Sequence, residues 1–153
     1  MHTLELRLLP PVVVALWAAL MALLSWVWPA LSFALPARLP LAIGIAALGF
    51  GLGGAGIVAF RKAQTTFNPV RPDKASCIVA HGVFRYTRNP MYLGMLLALI
   101  AWALFLAHPL PFAALPLFVA YMTRFQIIPE ERHLREKFGA PYDAYLKTVR
   151  RWM

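Results

Sequence analysis

The sequence predicts an all-α integral membrane protein with about four transmembrane helices. The third and fourth form a helical hairpin, and a cytoplasmic helical tail follows. Three observations carry this expectation. Of 153 residues, 61% are hydrophobic and only 14% are charged, against roughly 45–50% and 25% in a soluble domain. The apolar residues gather into four runs, as bilayer spans do. The basic residues collect on alternate connections, the pattern of the positive-inside rule.

The first run covers about 11–28 and the second about 39–60. Both meet the roughly 20 apolar residues needed to cross a hydrocarbon core of about 30 Å. The third, about 91–107, is marginal. The fourth, about 110–122, is short and carries Pro111 and Pro116, so it is expected to tilt, kink or thin the bilayer. His108-Pro109-Leu110-Pro111 between them reads as a tight turn. An apolar stretch after Arg7 could be mistaken for a signal peptide. Trp26, Trp28 and Pro29 make a poor cleavage site, so the span is retained and the two tryptophans read as an interfacial anchor. The chain, 1–153, reads as a single membrane domain.

Topology follows from Lys and Arg. The connection after the second run holds Arg61, Lys62, Arg71, Lys74, Arg85 and Arg88. The tail holds Arg124, Arg132, Arg135, Lys137, Lys147, Arg150 and Arg151, while the other two connections hold only Arg38. Both termini and the long middle connection are therefore expected in the cytoplasm, with the protein in a bacterial inner (plasma) membrane. All six acidic residues fall on the same side. The net charge of +9 is explained by these loops, and no nucleic-acid partner is expected. The single cysteine, Cys77, can form neither an internal disulfide nor a cysteine-rich metal site; no metal is expected.

Gly49-Phe-Gly-Leu-Gly-Gly54 matches the letters of a dinucleotide fingerprint. It lies inside an apolar span, without the preceding strand and helix N-terminus that such a site requires. Six of the nine glycines lie between Gly44 and Gly56, and Gly49 and Gly53 have the spacing of close helix packing. No charged residue lies well inside a span, which argues against proton-coupled export. The connector Thr65–Ala80 is polar and broken by prolines. It reads as a solvated link or as a flap over a ligand.

Two polar motifs remain. The first, 82–94, is Gly82-Val-Phe-Arg-Tyr-Thr-Arg-Asn-Pro-Met-Tyr-Leu-Gly94. Pro90 suits the first turn of the third span, and Asn89 is a natural N-cap. A capped helix start with interfacial Arg and Tyr anchors is the plain reading. A ligand site at the membrane rim is the functional one. The second motif, 127–145, has Pro129 starting a helix and Glu130-Glu131 in its first turn, where acidic residues favour the helix dipole. Gly139 ends that helix. Tyr142, Tyr145 and Val149 then mark a second one, expected on the membrane surface with Lys147, Arg150 and Arg151 toward lipid headgroups.

Together the motifs read G-x-[FY]-R-Y-x-R-[HN]-P-x-Y-x-G, a hairpin, then E-E-x-x-L-x-x-x-F-G-x-x-Y-x-x-Y. This resembles the isoprenylcysteine carboxyl methyltransferase and phospholipid methyltransferase superfamily over Gly82 to Trp152. The resemblance implies an integral membrane enzyme that uses S-adenosylmethionine and methylates a lipophilic acceptor, such as an isoprenylcysteine carboxylate or a phospholipid. It implies cofactor-binding roles for Arg88, Asn89, Tyr92, Glu130 and Glu131, and catalytic roles for Glu131 and Arg88. Asn89 stands where the eukaryotic carboxyl methyltransferases have histidine. A carboxylate can take a ribose diol or an ammonium group, and an arginine can clamp a carboxylate in a fork. The rival reading, motivated by Asn89, is a non-enzymatic membrane assembly protein that keeps the fold.

Overall fold

A computed structural model describes residues 5–6, 8–64 and 77–153. Arg7, Arg71, Lys74 and most of the connector read as a flap lie outside the described residues. The elements in order are α1 (Pro10–Val27), α2 (Arg38–Lys62), α3 (Pro90–Leu106), α4 (Pro109–Met122), α5 (Ile128–Phe138) and α6 (Ala140–Thr148). There is no strand among the described residues. The first four helices run alternately up and down.

Val12, Leu16, Leu20 and Leu23 of α1, and Ile43, Leu48 and Phe50 of α2, are exposed. In water such faces would be a liability, whereas in a bilayer the lipid covers them. The inner core joins α1, α3 and α4 through Val13, Met21, Leu99, Ala103, Ala114, Phe118 and Met122. Two indole N–H groups hold backbone carbonyls of neighbouring helices: Trp17 on Ala114 and Trp102 on Ala18, each at 3.0 Å. Such bonds join helices where lipid offers no competing partner.

The glycine cluster of α2 is a packing surface. A methyl group at Gly49 would fall 2.7 Å from the Gly94 carbonyl oxygen, and one at Gly56 would meet Pro90 and Met91 at 3.2 Å. Backbone therefore lies on backbone, and α2 is seated on the first turn of α3.

The expected tight turn is present. Ala107 adopts the left-handed conformation with φ 48°, and His108 caps α4 by accepting the Leu110 N–H at Nδ1. His108 is fully buried, and its Nε2 lies 3.0 Å from the Trp28 carbonyl oxygen, which fixes the proton on Nε2. Trp26 and Trp28 are exposed at this end of the bundle.

Two features differ from expectation. The fourth span does not stop at Met122 with a separate helix starting at Pro129. A π-turn, Thr123–Ile127, joins α4 to α5 in one rod from Pro109 to Phe138. The N–H that Pro129 lacks would have bonded the Phe125 carbonyl; that oxygen instead accepts the Leu6 N–H at 3.1 Å. Gln126, fully buried, reaches the Leu8 carbonyl at 2.8 Å. Glu5 pairs with Arg124 at 2.8 Å. The segment before α1 thus supplies what the proline removes. The second difference is α6. Lys147 and Arg150 are exposed as expected. Tyr142, however, is buried, Tyr145 donates to the Phe84 carbonyl at 2.8 Å, and Arg151 turns inward.

Candidate active site

The two polar motifs meet at one end of the bundle. The first leads into α3 through a short 3-10 turn, Gly82–Arg85, and Pro90 begins the helix. The second lies on α5, whose continuity with α4 fixes where Glu130 and Glu131 point. Tyr92, buried on α3, donates its hydroxyl to Glu130 Oε2 at 3.1 Å. This bond ties the third helix to the fifth across 38 residues of sequence.

Glu131 is held by two guanidinium groups. Arg151 makes a fork, Nε to Oε1 at 3.0 Å and Nη2 to Oε2 at 2.7 Å. Arg88 Nη2 lies 3.3 Å from Oε1. The Arg88 and Glu131 side chains are only 11% and 14% exposed while Arg151 is 35% exposed, so two members of this triad, which carries one excess positive charge, are largely desolvated. The fork raises the Arg151 pKa further above its already high ordinary value, since the bonded carboxylate favours the charged form. Beside it, burial pushes the Tyr145 hydroxyl up to about 12, although Arg88 pulls it down. Tyr142 is raised too, first by burial and then by Glu131. Both therefore remain neutral hydrogen-bonding groups at ordinary pH.

Arg88 Nε is buried and has no hydrogen-bond partner among the described residues. An orphaned charged donor of this kind is uncommon in a native fold. Arg88, Glu131 and Arg151 line a cavity of about 620 Å³, together with Ile128, Arg132, Arg135, Glu136 and Leu146. Ligand pockets typically run from about 300 to 1,000 Å³. Asn89, Tyr92 and Glu130 do not line it. Two other lining arginines reach carboxylates: Arg132 lies 3.5 Å from Glu5, which Arg124 also holds, and Arg135 lies 2.7 Å from Asp143.

Asn89 sits at the N-cap position of α3, but its side chain does not cap the helix. Its amide donates instead to the Arg151 carbonyl at 2.9 Å. The Thr87 hydroxyl donates to the same oxygen at 3.4 Å, and the Arg88 N–H donates to the Arg150 carbonyl at 3.1 Å. The sequence reading placed Arg151 toward lipid and did not connect Thr87, Tyr145 or Trp152 with the site. Only the inward spacing of Tyr142 and Tyr145 hinted that this segment packs on the rest. No group of three potential metal ligands occurs among the described residues.

Fold and site define a small helical membrane protein with a polar, ligand-sized cleft at one end of its bundle. Residues 37–141 match the profile of the family described as phospholipid methyltransferase, and the chain belongs to that family. Membership supports a methyltransferase activity. An uncharacterized protein of Haemophilus influenzae is 43% identical over 63 residues, which is 41% of this chain and all of that protein. A "Probable protein-S-isoprenylcysteine O-methyltransferase" of Oryza sativa subsp. indica is 33% identical over 72 residues, as is its counterpart in subsp. japonica. That alignment covers 47% of this chain and 38% of each rice protein. No solved structure matches the chain.

Proposed function

We propose that the protein is an S-adenosylmethionine-dependent methyltransferase that acts on a lipophilic acceptor, isoprenylcysteine-carboxylate-like or phospholipid-like, at the cytoplasmic face of a bacterial inner membrane. The observation that carries this reading is a cavity of about 620 Å³ lined by residues of both motifs, among them Arg88 and Glu131.

The residues present fit the cofactor. Its amino-acid carboxylate is an acceptor of the kind that the orphaned Arg88 donor lacks, and a charge-assisted bond there would satisfy a desolvated guanidinium. When bound, S-adenosylmethionine supplies an electrophilic methyl group on a sulfonium, which an acceptor oxygen or nitrogen takes as the carbon–sulfur bond breaks. The chain's own contribution is binding and orientation, which suits an in-line displacement. Glu131 holds Arg88 in place. Tyr92 holds Glu130 and so ties α3 to α5, the helix that carries Glu131. Asn89 is a hydrogen-bond donor in this site and not a base, which suits a carboxylate acceptor that needs no deprotonation. The apolar faces of α1 and α2 let an acceptor with a lipid tail reach the protein through the bilayer.

Isothermal titration of detergent-purified protein with S-adenosylmethionine and with its demethylated product, S-adenosylhomocysteine, tests this reading. Saturable binding of both is expected. If neither binds, the reading is overturned and the non-enzymatic alternative takes its place.

A further inference from the structure

The residues that follow α6 cross the site as a strap. Val149 is extended, with φ −123° and ψ 135°. The carbonyls of Arg150 and Arg151 are held by the backbone of Arg88 and by the side chains of Thr87 and Asn89. Trp152 donates its indole N–H to the Thr123 hydroxyl at 3.1 Å and packs on the core. The strap is thus fixed to the start of α3 on one side and to the π-turn on the other. It lies beyond the residues that match the family profile, which end at 141. Yet Arg151, between these anchors, places its guanidinium on Glu131.

Two guanidinium groups share this single carboxylate. A carboxylate has two oxygens that suit one fork. Arg151 takes it, using both oxygens at 3.0 and 2.7 Å, and Arg88 is left with one longer contact of 3.3 Å. Were Arg151 absent, the fork of Glu131 would be open to Arg88, the nearest cation. Arg88 would then turn its donors toward Glu131 and away from the cavity that it lines.

We infer that Arg151 is a positioning residue: by occupying the Glu131 carboxylate it keeps the Arg88 guanidinium available to an anionic group of the ligand. This rests on the proposed function, in which that group is the cofactor carboxylate. Arg151 acts through Glu131 and does not itself touch reacting atoms. The consequence is a dependence that a merely structural ion pair would not show. Removing Arg151 is harmful because Glu131 remains, so removing Glu131 as well relieves part of the harm.

The test is titration of the full-length, detergent-purified protein with S-adenosylhomocysteine, with a thermal melt of each variant as a folding control. R151A is expected to weaken binding by about tenfold or more, within the coupling measured for contacting residues. R151K keeps the charge but not the fork, and is expected to recover only part. E131Q alone is expected to lose less than R151A, and R151A/E131Q is expected to bind more tightly than R151A. Should R151A fail to fold, R151K and R151K/E131Q carry the same comparison. If the double variant binds as weakly as the single arginine variant, or more weakly, the positioning role is overturned and the pair is structural. If wild type binds and R151A binds equally well, the inference falls while the proposed function stands. If wild type itself does not bind, the proposed function falls.

Discussion

The contact between Gly49 and Gly94 allows a stability prediction with a worked magnitude. A methyl group at Gly94 would sit 2.5 Å from the Gly49 carbonyl oxygen and 3.2 Å from the Gly53 nitrogen, where ordinary contact begins near 3.4 Å. Both neighbours are backbone atoms within a helix, so no side-chain rotation relieves the overlap. The helices must part by about 0.9 Å at this point (3.4 − 2.5). Overpacking of this kind costs about 1–3 kcal/mol, and the rigid neighbours put Gly94→Ala at the upper end. Alanine returns about 1 kcal/mol of helix propensity, which leaves a net loss of about 2 kcal/mol. Gly51 lies in the same glycine cluster, but a methyl group there meets nothing within 4 Å. Gly51→Ala should therefore stabilise, by up to about 1 kcal/mol. At about 2–4 °C per kcal/mol for a chain of this size, the two variants should melt about 6–12 °C apart. Thermal melts in one detergent measure the gap. If Gly94→Ala melts with or above Gly51→Ala, close backbone approach is not the role of these glycines.

Three further outcomes follow from the site. Tyr92→Phe leaves the Glu130 carboxylate without its hydroxyl donor, and should destabilise by about 1–3 kcal/mol; an unchanged melting temperature would show that the bond contributes nothing. Asn89→Ala removes a donor to the Arg151 carbonyl and should weaken S-adenosylhomocysteine binding severalfold, whereas Asn89→His keeps an N–H for that oxygen and should bind nearly as wild type. Equal affinities for the two Asn89 variants would exclude the proposed role of the amide. Burial raises the folded-state pKa of Tyr145 to about 12, against about 10 for a free tyrosine. Its contribution is thus fully present below pH 10 and is lost as pH rises toward 12. Melting temperature should fall across that window, and less steeply in Tyr145→Phe; parallel profiles would contradict the assignment.

The apolar helices and the hairpin turn were legible in the sequence because each is a local signal. Hydropathy marks a span without reference to its neighbours, and His108-Pro109 marks a turn by its own chemistry. What escaped was decided by residues far apart in the chain. Pro129 reads locally as a helix start; it lies within a continuous rod only because Leu6 supplies the missing hydrogen bond to Phe125. Asn89 reads as a cap, but the Arg151 carbonyl, 62 residues away, takes its amide. The glycine spacing announced close packing but could not name Gly94 as the partner. Arg151 carries the same limitation further. In a basic tail beside a membrane, a lipid headgroup and an internal carboxylate are equally plausible partners, and only the fold decides between them.

That decision bears on how charge is managed at the cleft. Arg135 has a carboxylate of its own, Asp143, and Arg132 shares Glu5 with Arg124. Arg88 and Arg151 share one, and the excess positive charge stays where water is largely excluded. A desolvated guanidinium with an unmade hydrogen bond is costly to a folded protein. The arrangement is stable enough to persist because Glu131 offsets part of that charge. It also leaves the site with a standing preference for an anion, since any acceptor that reaches Arg88 satisfies the orphaned donor and balances the triad together. Under the proposed function, the sharing of Glu131 between a residue of the family motif and a residue of the strap is what keeps Arg88 open to the ligand.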